Sequence, residues 1–194
     1  MLMRIYSEQE SLDDTELRFI AFSAEESGHQ GSTAYCNSLI EDEIARSIGT
    51  FNVDILTVDV WEELCFAIDT MGERTDDGYV TGSIEEPAYN RVALATLAAM
   101  EELGYYDEAD LDVTWCLPRH MGASDHESFH MVGIDSANIC FHRPMKQHGW
   151  PEFMHTPSDV MGDFDLVRTW QALETLYTAF DGLARDHTYG DSIQ

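Results

Sequence analysis

The stretch Leu17-Arg18-Phe19-Ile20-Ala21-Phe22, running directly into Ser23-Ala24-Glu25-Glu26-Ser27-Gly28 and then Gly31-Ser32, decides the fold. The short apolar run predicts a buried strand. Two adjacent carboxylates follow it, and Gly31-Ser32 opens a helical stretch to about Ser47. Strand, polar crossing and helix in that order make the opening of a βα unit.

The same alternation continues outward. Phe51 to Val60 is rich in Val, Ile and Thr and predicts the next strand. Ser83 to Leu103 predicts a helix, with Ser83 as cap, Glu86 three residues on and Gly104 past its end. Asp112–Leu117 and Ser136–Phe141 are further strand candidates, and Asp163–Arg185 is the last helix. In that helix Leu166, Trp170, Leu173, Tyr177 and Phe180 form a stripe expected to face a sheet. Leu64–Thr81, with Met71-Gly72 and Asp76-Asp77-Gly78, reads as a loop or insertion. Strands alternating with long helices imply a three-layer α/β/α domain around a mostly parallel, mixed sheet.

The chain has 194 residues and 44% hydrophobic content, enough for one packed domain. It carries 37 acidic against 10 basic residues, and Lys146 is the one lysine. Such a surface repels phosphate backbones and excludes nucleic acid as a partner. With no run of about 18 apolar residues, a membrane span is not expected. Nor does the Met1–Leu12 segment have the apolar core of a signal peptide, so the chain reads as cytoplasmic. Cys36, Cys65, Cys116 and Cys140 are widely spaced, and in that compartment they read as free buried thiols.

Open α/β sheets bind ligands at the carboxyl ends of their strands. Polar residues gather at such ends here: Glu25-Glu26, Asp54, Ser124-Asp125-His126, and the His155–Asp159 cluster before the last helix. Successive side chains on extended backbone point apart, so one of the Glu25-Glu26 pair can bind a cation while the other addresses what it holds. Asp54, between Val53 and Ile55, needs a partner, a metal or a wet edge to be tolerated. His155, presented by an extended Thr156-Pro157 segment, suits a zinc ligand or a surface histidine. No G-x-S-x-G elbow, H-E-x-x-H helix or glycine-rich phosphate loop is present.

The wording of these clusters carries a resemblance. Phe19–Gly28 with Gly31-Ser32 and Tyr35 resembles the E-E-x-G-x-x-G-S signature of metallopeptidase family twenty-eight. That family contains zinc aminopeptidases and the related glutaminyl cyclases. Phe51-Asn52-Val53-Asp54 is similar to its N-x-D strand, and Ser124–Phe129 with Gly133-Ile134 to its S-D-H-x-x-F…G-I segment. Met154–Asp159 resembles its closing H-T-x-x-D.

The resemblance implies a site with two zinc ions and a peptide or small amide substrate. Glu25 would be the general base, Glu26 and His155 ligands of one zinc, and Asp54 a ligand of the other. Asp125 and His126 would support the site or contact substrate. The family's first histidine ligand and bridging aspartate lie upstream of its Glu-Glu strand, and the residues before Glu25 hold no histidine. Residues 1–194 are therefore expected to form a zinc-peptidase-like domain that is incomplete at its N-terminal side, with weak metal binding and an exposed apolar edge at Leu17–Phe22. A homodimer or a complementing N-terminal chain would restore the ligands. The alternative is a peptidase-like binding protein without catalysis.

Overall fold

The computed structural model describes residues 4, 6, 12, 14–57, 65–71, 74–75, 78–79, 89–105, 119–120, 124–142, 154–158, 160, 162 and 164–193. Five helices are described: α1 Gln30–Ser38, α2 Glu41–Arg46, α3 Arg91–Leu103, α4 His126–Val132 and α5 Leu166–Arg185. The strands are β1 Thr50–Val53, β2 Cys65–Thr70, β3 Arg74–Thr75, β4 Gly78–Tyr79, β5 Arg119–His120 and β6 Ser136–His142. β3 and β4 form a separate antiparallel pair. The main sheet runs β1-β6-β2-β5. It is mixed: β1 is parallel to β6, β2 is parallel to β5, and β2 is antiparallel to β6.

Every residue of β2 and β6 is buried. Pairing puts Phe66 opposite Phe141 and Ile68 opposite Ile139 on one face. There they meet Val92, Leu97 and Met100 of α3 and Ala172 and Leu176 of α5. The Phe66 and Phe141 rings lie edge to face at 5.8 Å, and the Arg168 guanidinium stands 5.2 Å over Phe141. Ala95 and Ala99 of α3 cluster with Ala179 and Leu183 of α5. Small side chains there let the two helices approach closely.

Several expectations change. β2 falls in the segment read as a loop; its run Cys65-Phe66-Ala67-Ile68 is too short to show a period, yet it forms the most buried strand. Leu17–Phe22 is extended but joins no strand among the described residues. Phe19 instead meets α5, where Tyr6, Phe19, Tyr177 and Phe180 form an aromatic cluster, and Phe22 packs on Tyr35 of α1 and Phe129 of α4. Phe19 and Ile20 remain about two-fifths exposed. The predicted stripe on α5 is displaced as well. Leu166 and Trp170 are exposed, and the buried face is Ala172, Thr175, Leu176, Ala179 and Leu183. Close helix packing selected the alanines over the larger residues.

Caps account for two shifted boundaries. α3 begins after Asn90, whose Oδ1 accepts from Ala93 N at 3.0 Å, so it is Asn90 that caps it and not Ser83. Ser83 and Glu86 lie outside the described residues. Asp165 caps α5 by accepting from the N–H groups of Val167 and Arg168. The strand from Phe51 stops at Val53, and the candidate strand Asp112–Leu117 lies outside the described residues. Cys36 and Cys140 keep their thiols, whereas Cys65 is joined in a disulfide, contrary to the free-thiol reading. Burial pushes the Cys36 thiol up to about 11, with Asp125 adding to the shift, which makes it an inert thiol.

The C-terminal turn docks on α3 through Gly190. Its φ is 95°, and a Cβ there would stand 2.7 Å from the Ala95 backbone nitrogen. Gly190→Ala is expected to cost about 2 kcal/mol through strain and overpacking. Thermal unfolding should show this as a loss of roughly 4–8 °C.

Candidate metal centre

Hydrogen bonds and ion pairs hold the four chemically capable sequence clusters in separate small groups. The turn after Leu17–Phe22 is closed on itself: Glu25 O accepts from Gly28 N at 3.0 Å and His29 N at 2.8 Å, and Ser23 O accepts from Gly31 N at 3.1 Å. This turn presents Glu25 and Glu26 at the entrance to α1. Glu26 Oε1 lies 2.7 Å from His155 Nε2, so two side chains 129 residues apart share one spot. Glu25 Oε1 faces His29 Nε2 at 3.5 Å, and His29 Nδ1 in turn faces Glu127 at 3.6 Å.

Asp54 sits one residue beyond β1, not inside a strand, and Ser124 Oγ donates to its Oδ2 at 3.1 Å. Asn52, two residues earlier on the same strand face, donates to Ser124 Oγ at 2.8 Å and to Asn138 Oδ1 at 2.9 Å. Asp125 Oδ1 lies 2.5 Å from Ser32 Oγ, which locks α4 to α1. His126 is buried at the start of α4, and its carbonyl accepts from Ser136 Oγ at 2.7 Å. Both residues thus contact neighbouring elements of the fold.

The backbone is strained where these groups sit. Ala24, His29, Ile55 and His155 have φ between 52° and 60°, the left-handed region that non-glycine residues avoid. They flank or belong to the carboxylate–histidine group, the kind of place where such strain collects. His155 therefore stands in a turn, with Ser158 N donating to Thr156 Oγ1 at 3.2 Å, and not on the extended segment predicted from Pro157. Asp159 lies outside the described residues.

Burial pushes the Glu25 carboxyl above its ordinary range, and Asp54 and Glu26 push the same way. A groove of about 1350 Å³ opens beside this group. It is lined by Glu25, Glu26, Asp54 and Asp125, and by Phe19, Phe51 and other apolar side chains from residues 17–22, β1 and α5.

Carboxylate and imidazole are the donors zinc takes, so the chemistry of the set fits. The number falls short of the three protein donors usual at a catalytic ion. Glu26 and His155 meet, Asp54 stands apart from them, and no third histidine, cysteine or carboxylate donor joins the pair among the described residues. Ser124, Asn52, Ser32 and His29 went unremarked as supports in the sequence. The i, i+4 spacing of Glu25 and His29 was the one local signal for any of them.

Comparison with known proteins gives the family and the fold. The pattern of Peptidase family M28 matches residues 1–179. Aminopeptidase YwaD of Bacillus subtilis (strain 168) is 34% identical over 159 residues, which is 82% of this chain and 30% of that protein. Among solved structures, the zinc aminopeptidase BSAP of Bacillus subtilis superposes with a TM-score of 0.71 at 31% identity, covering 92% of this chain and 38% of that one. An aminopeptidase from Aneurinibacillus sp. strain AM-1 gives 0.69 at 31% identity, covering 92% and 35%. The chain thus spans about a third of the length of these relatives. With the fold, the paired carboxylates and the match over nearly the whole chain in agreement, this protein belongs to Peptidase family M28.

Proposed function

We propose that this chain carries the general base and part of the zinc-binding shell of an aminopeptidase-type hydrolase. The observation that carries this reading is the contact between Glu26 and His155, beside a Glu25 whose affinity for protons is raised. Zinc, when bound, supplies a Lewis acid that polarises a carbonyl and acidifies water. Glu26 and His155 would hold one ion and Asp54 would contribute to a second. Glu25 takes a proton from the attacking water and passes it to the leaving amine. Its raised pKa brings it nearer neutral pH, where a base of this kind works best. Ser124 fixes the Asp54 carboxylate, and Asp125 holds the α1–α4 contact beneath the site. The acidic lining of the groove favours a peptide presenting a free ammonium group.

The donor shortfall gives weight to two further points. A second copy or a complementing chain would supply the remaining ligands at the open groove, and sedimentation with and without zinc would reveal it. A binding protein that holds peptides without cleaving them is the second reading. Location also bears on the Cys65 disulfide, a bond rare in a reducing cytoplasm. No helix among the described residues is long and apolar enough to cross a membrane.

The deciding experiment is zinc calorimetry with metal analysis on the 194-residue chain and on His155→Ala. Loss of a zinc-binding step in His155→Ala, with release of amine from an aminoacyl anilide by the wild type, is the expected result. Equal zinc binding by both proteins would overturn the assignment of His155. Zinc binding without hydrolysis would favour the second reading.

A further inference from the structure

The other face of the sheet carries a row of polar residues in its interior. Asn52 of β1, Asn138 of β6 and Asp69 of β2 lie side by side in register. Two strand positions further along β6 on the same face are Cys140 and then His142. Ala67 stands opposite Cys140, and its small side chain lets the longer Asp69 and His142 lean together over the pair. Asp69 Oδ2 lies 3.0 Å from His142 Nε2 and 3.2 Å from Cys140 Sγ. All three donor atoms are within 4.8 Å of one another, and all three residues are buried.

A hydrogen-bonded trio would satisfy these groups, but its dimensions also fit a different chemistry. Ligands on one tetrahedral zinc, with Zn–N and Zn–O near 2.1 Å and Zn–S near 2.3 Å, stand about 3.4 to 3.6 Å apart. The two Asp69 contacts are within half an ångström of that. A carboxylate, a thiolate and a neutral imidazole bring two negative charges, which cancel a divalent cation inside a poorly polar interior. Oxygen, nitrogen and sulfur together suit zinc and exclude calcium or magnesium, which take oxygen.

From this geometry we propose a second, interior zinc site formed by Asp69, Cys140 and His142, separate from the Glu26–His155 group. The ion clips β2 to β6 at the centre of the sheet. Binding releases the Cys140 thiol proton, and His142 presents an unprotonated Nε2. Three protein donors leave one coordination position for water or another donor.

The test uses the full chain carrying Glu26→Gln and His155→Ala, stripped with chelator and titrated with Co2+ alone. One equivalent should bind with a thiolate-to-cobalt charge-transfer band in the near ultraviolet, and zinc should displace it. The band should vanish in Cys140→Ser and in Asp69→Asn. Absence of the band, or its survival in Cys140→Ser, would overturn the site. Should either variant fail to fold, X-ray absorption on the zinc-loaded parent decides. One sulfur at about 2.3 Å supports the site, and a shell of nitrogen and oxygen alone refutes it. Because Glu26 and His155 are already replaced, failure here leaves the peptidase reading untouched.

Discussion

Under the proposed aminopeptidase reading, Glu25→Gln is expected to slow peptide hydrolysis about 10²–10⁴-fold and yet to unfold at a higher temperature. The rate loss is the usual contribution of a general base. The stability gain follows from the raised pKa. Burial, then the neighbouring Asp54 and Glu26 carboxylates, disfavour the charged form of Glu25 in the native state. Below the ordinary glutamate range both folded and unfolded chains hold the proton. Between that range and the raised native value the folded chain keeps a proton that the unfolded chain has lost. Stability therefore falls as pH rises through this window and stays lower above it. Glutamine cannot ionise, so the variant escapes that loss. Thermal unfolding of the metal-free wild type and variant between acid and neutral pH checks the stability arm without any assay of hydrolysis. Curves that keep a constant separation over the whole range would show that Glu25 contributes no such penalty. The two arms moving in opposite directions would mark Glu25 as a residue kept for chemistry at a cost in stability.

Gly31→Ala should cost nearly as much by a different route. A Cβ at position 31 would stand 2.4 Å from the Ser23 carbonyl oxygen and 2.9 Å from the Ser23 nitrogen. Both are backbone atoms, so a side-chain rotation cannot relieve the clash. Ser23 lies two residues before Glu25 and anchors its turn through the Gly31 N–H. The backbone must shift, and Glu25 and Glu26 must shift with it. Overpacking of this kind costs about 1–3 kcal/mol. A misplacement of about 1 Å at reacting groups lowers rates on the order of 10²-fold. Zinc affinity at the Glu26–His155 pair should fall in parallel. Gly28→Ala is the control: its φ of 91° strains an alanine, but nothing lies within 4 Å of the new methyl. It should lose about 1 kcal/mol of stability. Calorimetry and unfolding on the two variants separate displacement of the turn from simple backbone strain.

The amino-acid order made the chemistry of the site easier to read than its scaffold. Glu25, Glu26, Asp54 and His155 became candidates through the family signatures they belong to, since each alone reads more readily as a surface or hydrogen-bonded group. Their supports, Ser32, Asn52 and Ser124, are small polar residues of a kind found throughout the chain. Only the fold shows that Ser32 meets Asp125 and that Ser124 links Asn52 to Asp54. Helical spacing found α3 and α5, although the stripe expected on α5 is not its buried face, and Ser136–Phe141 was placed as a strand. Periodicity missed β2, six residues buried on both faces, where neither alternation nor a helical stripe can appear. Leu17–Phe22 has the composition of a strand, but strand formation depends on a neighbour, which no local property records. Asp69 and His142 were invisible for the same reason as β2: their meeting depends on antiparallel pairing between segments about 70 residues apart.

The contact between Glu26 and His155 also sets a clock on the life of the molecule. Synthesis proceeds from the N-terminus, and at about 5–20 residues per second His155 follows Glu26 by roughly 6–26 s. During that interval the acidic pair exists without its imidazole, and the loop to be closed is 129 residues long. Such distant pairings form late in folding. A growing chain therefore carries its Glu25-Glu26 turn through that whole interval before the contact that ties Glu26 to His155 can close.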